Sequence, residues 1–216
     1  MAKLKNGVHG GFIGRMGNVI GSSRNGVDYV RLRPTTVKNP QTEKQQIARA
    51  KFGMTMQFLS ALLFIIKIGL KNNPLGIAAM DYAKSWMIQN AFVGTFPEVL
   101  IDYSKVILSE GRLLQVDSPA AVLNGKELTF TWVHEENEDF AGWSGKDTMV
   151  LVAYDITKGQ VGHSVSKYTR DAEAGTVKIP GVFAGDTLLA YLFVISEDGT
   201  KVSTSQFVGE YQLAAQ

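Results

Sequence analysis

Leu128-Thr129-Phe130-Thr131-Trp132, Met149-Val150-Leu151-Val152-Ala153-Tyr154 and the run Leu188 to Ile195 decide how the second half of this chain of 216 residues folds. They are short, rich in β-branched and aromatic residues, bounded by turn residues and separated by no helical period. Val106-Ile107-Leu108, Val161 to Val165, Thr176 to Ile179 and Val202 to Val208 continue the pattern, which sets in near Val99. Asn124-Gly125 and Asp198-Gly199 supply tight turns between such runs. About seven strands at this spacing predict an immunoglobulin-like or fibronectin-like sandwich, with Trp132 on an early strand as an inter-sheet core residue. The disulfide of antibody domains has no counterpart, because the chain has no cysteine.

Upstream of Val99 the pattern is helical. Thr42 and Gln45 have the spacing of a capping box, and Ile47, Ala50, Met54, Phe58, Ala61 and Ile65 follow three or four apart. That predicts one helix to about Ile66, with Lys44, Arg49 and Lys51 on its early polar face. A second helix is expected after Pro74, carried by Ile77, Met80, Lys84 and Met87 and by Ala79, Tyr82, Ala83 and Trp86, and ended by Gly94 and Pro97. The apolar run from Phe58 to Leu70 contains Ser60 and Lys67 and is too short for a bilayer, which takes roughly 20 residues. It reads as a buried helix packed against the second one, and no membrane partner is expected. Further upstream, two extended runs, 18–24 and 27–33, flank Asn25-Gly26, the dipeptide suited to a type I′ hairpin turn, and Pro34 closes the second run. The fold class expected is thus α+β: an N-terminal β-hairpin and helical region over residues 1–111, then a β-sandwich domain over 112–216.

The charge changes along the same axis. Residues 1–51 carry ten Lys or Arg against Asp28 and Glu43, a balance of +8; residues 112–216 carry eight bases and fourteen acids, a balance of −6. Such asymmetry concerns partners and association rather than fold. With 45% hydrophobic and 19% charged residues the chain has the composition of a globular protein. The polar start, Met1 to Gly7, lacks the apolar stretch of a secretory signal, so the expected location is cytoplasmic or particle-associated.

Sites of chemistry are not evident. The glycine-rich stretch 7–33 lacks the G-x-G-x-x-G fingerprint and a P-loop lysine, and there is no G-x-S-x-G elbow. His9, His134 and His163 are scattered, without the paired spacing of zinc sites. The acidic cluster Glu135, Glu136, Glu138 and Asp139 lacks the alternation of a calcium loop and reads as a solvated loop. No enzyme activity, cofactor or metal is expected.

The succession Gly11-Phe12-x-Gly14-Arg15-x-Gly17-Asn18-Val19-x-Gly21, then Tyr29-Val30-Arg31-x-x-Pro34, then Asn39-Pro40-x-Thr42-x-x-Gln45-x-x-x-Arg49-Ala50-Lys51-Phe52 resembles a family of uncharacterised proteins from Bacteroidota. The similarity continues through Gly94-Thr95-Phe96-Pro97 and Ile101 to Val106 into the β-rich region. Residues 39–52 alone are also similar to a segment of small phage and prophage structural proteins. The resemblance implies no activity, cofactor or catalytic residue.

The functional expectation therefore rests on the basic segment. Arg24, Arg31 and Arg33 on the hairpin, with Lys44, Arg49 and Lys51 at the helix start, form a candidate partner-binding face, and Trp143 in a polar loop is a candidate exposed anchor. The leading reading is a non-enzymatic structural or interaction protein that self-assembles, its basic face meeting the acidic C-terminal domain of a neighbour. The alternative is a nucleic-acid-binding accessory protein of phage type.

Overall fold

The computed structural model describes residues 3–4, 11–24, 26–36, 39–133, 144–181 and 185–213. The chain divides into two compact units, Met1–Thr42 and Glu43–Gln216. Among the described residues there are three α-helices and four sheets with antiparallel pairing.

In the first unit, strands β1 (Lys3–Leu4), β2 (Phe12–Met16), β3 (Val19–Arg24) and β4 (Val27–Leu32) form an antiparallel sheet in sequential order. Arg24 pairs with Val27, leaving a two-residue loop at the Asn-Gly dipeptide, where Gly26 takes φ 81°. The expected hairpin is therefore present. A second tight hairpin joins β2 to β3, with Met16 opposite Val19 and Gly17 at φ 61° in the loop. Gly21 is needed for a different reason. A Cβ there would stand 2.0 Å from the Phe12 carbonyl oxygen, so β2 crosses β3 too closely for any side chain.

The second unit opens with α1 (Glu43–Ala61), and Thr42 does stand immediately before its first residue. The helix expected to run to Ile66 is two helices. The ladder breaks at Leu62, whose N–H bonds to the Leu59 carbonyl three residues back at 3.1 Å, and α2 (Leu63–Gly69) departs at 83°. The bend keeps the apolar run inside: Phe58, Leu59, Leu62, Ile65, Ile66 and Leu70 are all buried and share a core with Ala83 and Met87 of α3 (Ala79–Asn90). Among the described residues no single helix is long and apolar enough to cross a membrane. Between α2 and α3 the buried Asn73 side chain donates to the carbonyls of Leu70 and Ile77 and accepts from the Ile77 N–H, tying the turn to itself. A short hairpin of β5 (Phe92–Val93) and β6 (Leu100–Ile101) and a 3₁₀ turn at Tyr103–Lys105 follow. Residues 106–108, expected as a strand, are not in one.

Seven strands complete the unit. β7 (Asp117–Asn124), β8 (Glu127–Val133) and β11 (Ala174–Lys178) form a sheet in the order β11-β8-β7. β9 (Thr148–Asp155), β10 (Gln160–Thr169), β12 (Thr187–Ile195) and β13 (Gln206–Gln212) form another in the order β10-β9-β12-β13. One core joins the two sheets: Leu128, Phe130 and Trp132 from β8 meet Met149, Leu151 and Ala153 from β9 and Leu188, Ala190, Leu192 and Val194 from β12. Trp132 is thus the inter-sheet residue its sequence position suggests. Its indole N–H donates to the Arg170 carbonyl at 2.8 Å.

The other face of the four-stranded sheet is also covered. Val150, Val152 and Tyr154 of β9 and Leu189, Tyr191 and Phe193 of β12 belong to the core of the helices. The unit has three layers, helices on a four-stranded sheet on a three-stranded sheet, and the two middle strands are buried on both sides. The compact division falls at 42/43, and the expected 111/112 boundary lies inside the second unit, where helices and sandwich cover the two faces of one sheet. Charge lies on the surface and does not register that the helices and the sandwich share a sheet face.

Candidate functional site

The pairing register places the side chains of β2, β3 and β4 on two faces. Directly opposed residues of an antiparallel pair lie on one face, and alternate residues along a strand lie on opposite faces. Gly14, Gly21 and Val30 form one row, and Met16, Val19 and Leu32 the next, on the same face. Ser23 and Asp28 extend that face. The other face carries the row Arg15, Ile20 and Arg31, then Ser22 with Tyr29, then Arg24 with Val27. Arg33 continues it, its N–H donating to the Asn18 carbonyl at 2.7 Å.

Four arginines, 15, 24, 31 and 33, therefore share one face, and all four are exposed. Asp28, the acid of this sheet, is on the reverse face. Of these arginines Arg15 was not among the residues singled out from sequence, nor was Tyr29 placed with them. The odd-even alternation about the two tight turns carries the signal, and it becomes legible only when Gly17-Asn18 is taken as a turn beside Asn25-Gly26.

The remaining candidates do not join this face within one unit. Lys44, Arg49 and Lys51 lie on α1 in the second unit. On a helix of 3.6 residues per turn, positions 44 and 51 fall on one side and 49 on another. Lys51 lies with its ammonium 5.3 Å from the Phe92 ring centroid, a cation–π contact that holds it against the helical body. Trp143, like His9, His134 and the acidic residues 135–139, lies outside the described residues.

Several of the described acids of the second unit have partners of their own. Asp81 pairs with Lys84 at 2.6 Å, Asp102 with Lys105 at 3.1 Å, Glu127 with Lys178 at 2.8 Å and Asp186 with Lys158. Asp198 accepts from the Ser196 hydroxyl and from the Thr200 N–H and hydroxyl, which hold its carboxyl down at about 2. Asp155 accepts from the N–H groups of Thr157 and Lys158. Asp147 and Arg170 form an ion pair at 3.3 Å, both almost completely buried. Burial lowers the Arg170 pKa and the Asp147 charge opposes that shift. Tyr82 donates to Glu110, and desolvation, reinforced by that bond, lifts its phenol to about 12.

No group of three or more His, Asp or Glu side chains that could hold a metal occurs among the described residues. Ser164 and Lys167 have the S-x-x-K spacing, which places a lysine beside a serine only across a helical turn. Here they lie on β10, where the pairing shifts between Ser164 and Tyr168, and the Lys167 ammonium sits 5.0 Å from the Tyr168 ring centroid.

The geometry defines a protein of two units: a small basic β-sheet, and a body in which helices back two packed sheets. The chain belongs to the family of unknown function DUF6266, whose model matches residues 11–209. A comparison with curated proteins finds no match.

Proposed function

We propose that the chain is a non-enzymatic structural protein, a subunit that assembles with other copies of itself through the N-terminal sheet. The observation that carries this reading is that none of the described residues of this sheet belongs to a buried hydrophobic cluster. Leu32 is 76% exposed, Val30 61% and Met16 55%, all on the face opposite the arginines. A sheet of this size gains independent stability only when an apolar face packs against a second layer. A neighbouring copy supplies that layer at no cost in specificity, since a symmetric contact offers each apolar face its own complement. The sequence resemblance of residues 39–52 to a segment of phage structural proteins would fit a particle-associated subunit. The body would serve as the rigid module; its strand orders, β11-β8-β7 and β10-β9-β12-β13, agree with a fibronectin-like sandwich.

Light scattering after size exclusion tests the reading on nuclease-treated protein over a range of concentrations. The expected result is an oligomer that the double variant Val30→Asp with Leu32→Asp reduces to a monomer. A wild-type chain that stays monomeric at tens of micromolar would overturn it.

A further inference from the structure

We propose that the arginine-bearing face of the N-terminal sheet binds single-stranded nucleic acid. The register puts Arg15 and Arg31 in one row on either side of Ile20, with Arg24 and Arg33 toward the two ends of the face. Neighbouring strands are about 4.8 Å apart and same-face residues about 6.8 Å apart along a strand, so the guanidinium groups form a lattice with spacings suited to successive phosphates. Arginine suits this task because its planar fork grips phosphate oxygens bidentately.

Two further features narrow the occupant. No acid lies on this face, and among the described residues Arg24, Arg31 and Arg33 have no acidic partner. Tyr29, 45% exposed, stands between Val27 and Arg31 on β4 and offers a ring on which an unpaired base can stack. Ion pairs within residues 112–216 remove as many bases as acids and leave their −6 balance in place, so the exposed Tyr29 ring beside the arginines is what favours a strand of unpaired bases over a second copy. Bases reach a flat sheet only when unpaired, which favours a single strand over a duplex.

The site lies opposite the apolar face invoked for assembly, so the two proposals fail separately. The test is fluorescence anisotropy of the full chain with a fluorescein-labelled oligothymidylate about 20 nucleotides long, titrated at several salt concentrations. Four arginines predict a slope of log K on log salt of about −2 to −3, at roughly −0.7 for each neutralised phosphate. The triple variant Arg24→Gln, Arg31→Gln, Arg33→Gln should bind at least tenfold more weakly with a slope reduced by about 2. Its mass by light scattering should equal that of wild type. Tyr29→Ala should weaken binding several-fold at unchanged slope. The proposal is overturned by absence of saturable binding at low salt, or by a triple variant that binds as wild type does. It is equally overturned if duplex of the same length competes better than single strand. Competition by polyglutamate equal to that by the oligonucleotide would reassign the face to an acidic protein.

Discussion

Arg170 shows how much one residue can organise. It is 1% exposed, lies with its Nε 3.3 Å from Asp147, donates through its guanidinium to the Leu114 and Gln115 carbonyls, and gives its own carbonyl to Trp132. Asp147 in turn accepts from the N–H groups of Ser144 and Glu197. The pair thereby fastens the segment entering β7, the loop entering β9 and the turn after β12 to the core tryptophan. Removing one partner strands the other charge away from water, a loss of about 3–5 kcal/mol, whereas replacing both by apolar residues is often close to neutral. Arg170→Met should lower the urea midpoint sharply, and adding Asp147→Leu should restore most of it. Equal midpoints for wild type and the single variant would show that the pair contributes nothing. Neither residue is distinguishable in sequence from the other surface charges, because burial is set by strands far apart in the chain.

At the scale of elements, legibility followed locality. The β3–β4 hairpin was readable because its turn chemistry resides in two adjacent residues, and the buried helix because its stripe repeats every turn. Strand β7 was not: Asp117-Ser118-Pro119 opens it, and Ser118 takes φ 44°, so its first residues read as a loop. The break at Leu62 was hidden for the opposite reason, since nothing in Ser60-Ala61-Leu62-Leu63 interrupts a helical pattern. It arises from tertiary packing of the residues after it. Leu62 itself is fully buried at that corner, so Leu62→Asp should place an uncompensated charge in the core and abolish cooperative melting followed by circular dichroism. Wild-type melting in that variant would mean that the corner is open to solvent.

For the whole molecule, the decisive fact is that one sheet serves two cores. The continuous apolar runs Met149–Tyr154 and Leu188–Val194 contain this information, since a strand facing water on one side alternates. What covers the second face cannot be read from the runs themselves. A fragment of residues 43–216 should therefore melt cooperatively, whereas residues 112–216 alone would expose Val150, Val152, Tyr154, Leu189, Tyr191 and Phe193 and should aggregate. A soluble, cooperatively melting 112–216 fragment would refute the dependence on the helices. Burial on both faces also removes the usual guard on strand alignment. In a half-exposed strand a slip of one residue turns polar side chains inward and is rejected at once. In β9 such a slip would merely exchange Val150, Val152 and Tyr154 for Met149, Leu151 and Ala153, one oily set for another. Alignment must then be enforced by the few groups that fit only one way round. The Tyr191 hydroxyl finds the Tyr103 carbonyl at 2.8 Å, the Ser203 hydroxyl accepts from the Val194 N–H at 2.9 Å, and Asp155 clamps the turn at the end of β9. These polar groups are the keys of the central sheet, because a slip of one residue would leave each of them without its partner.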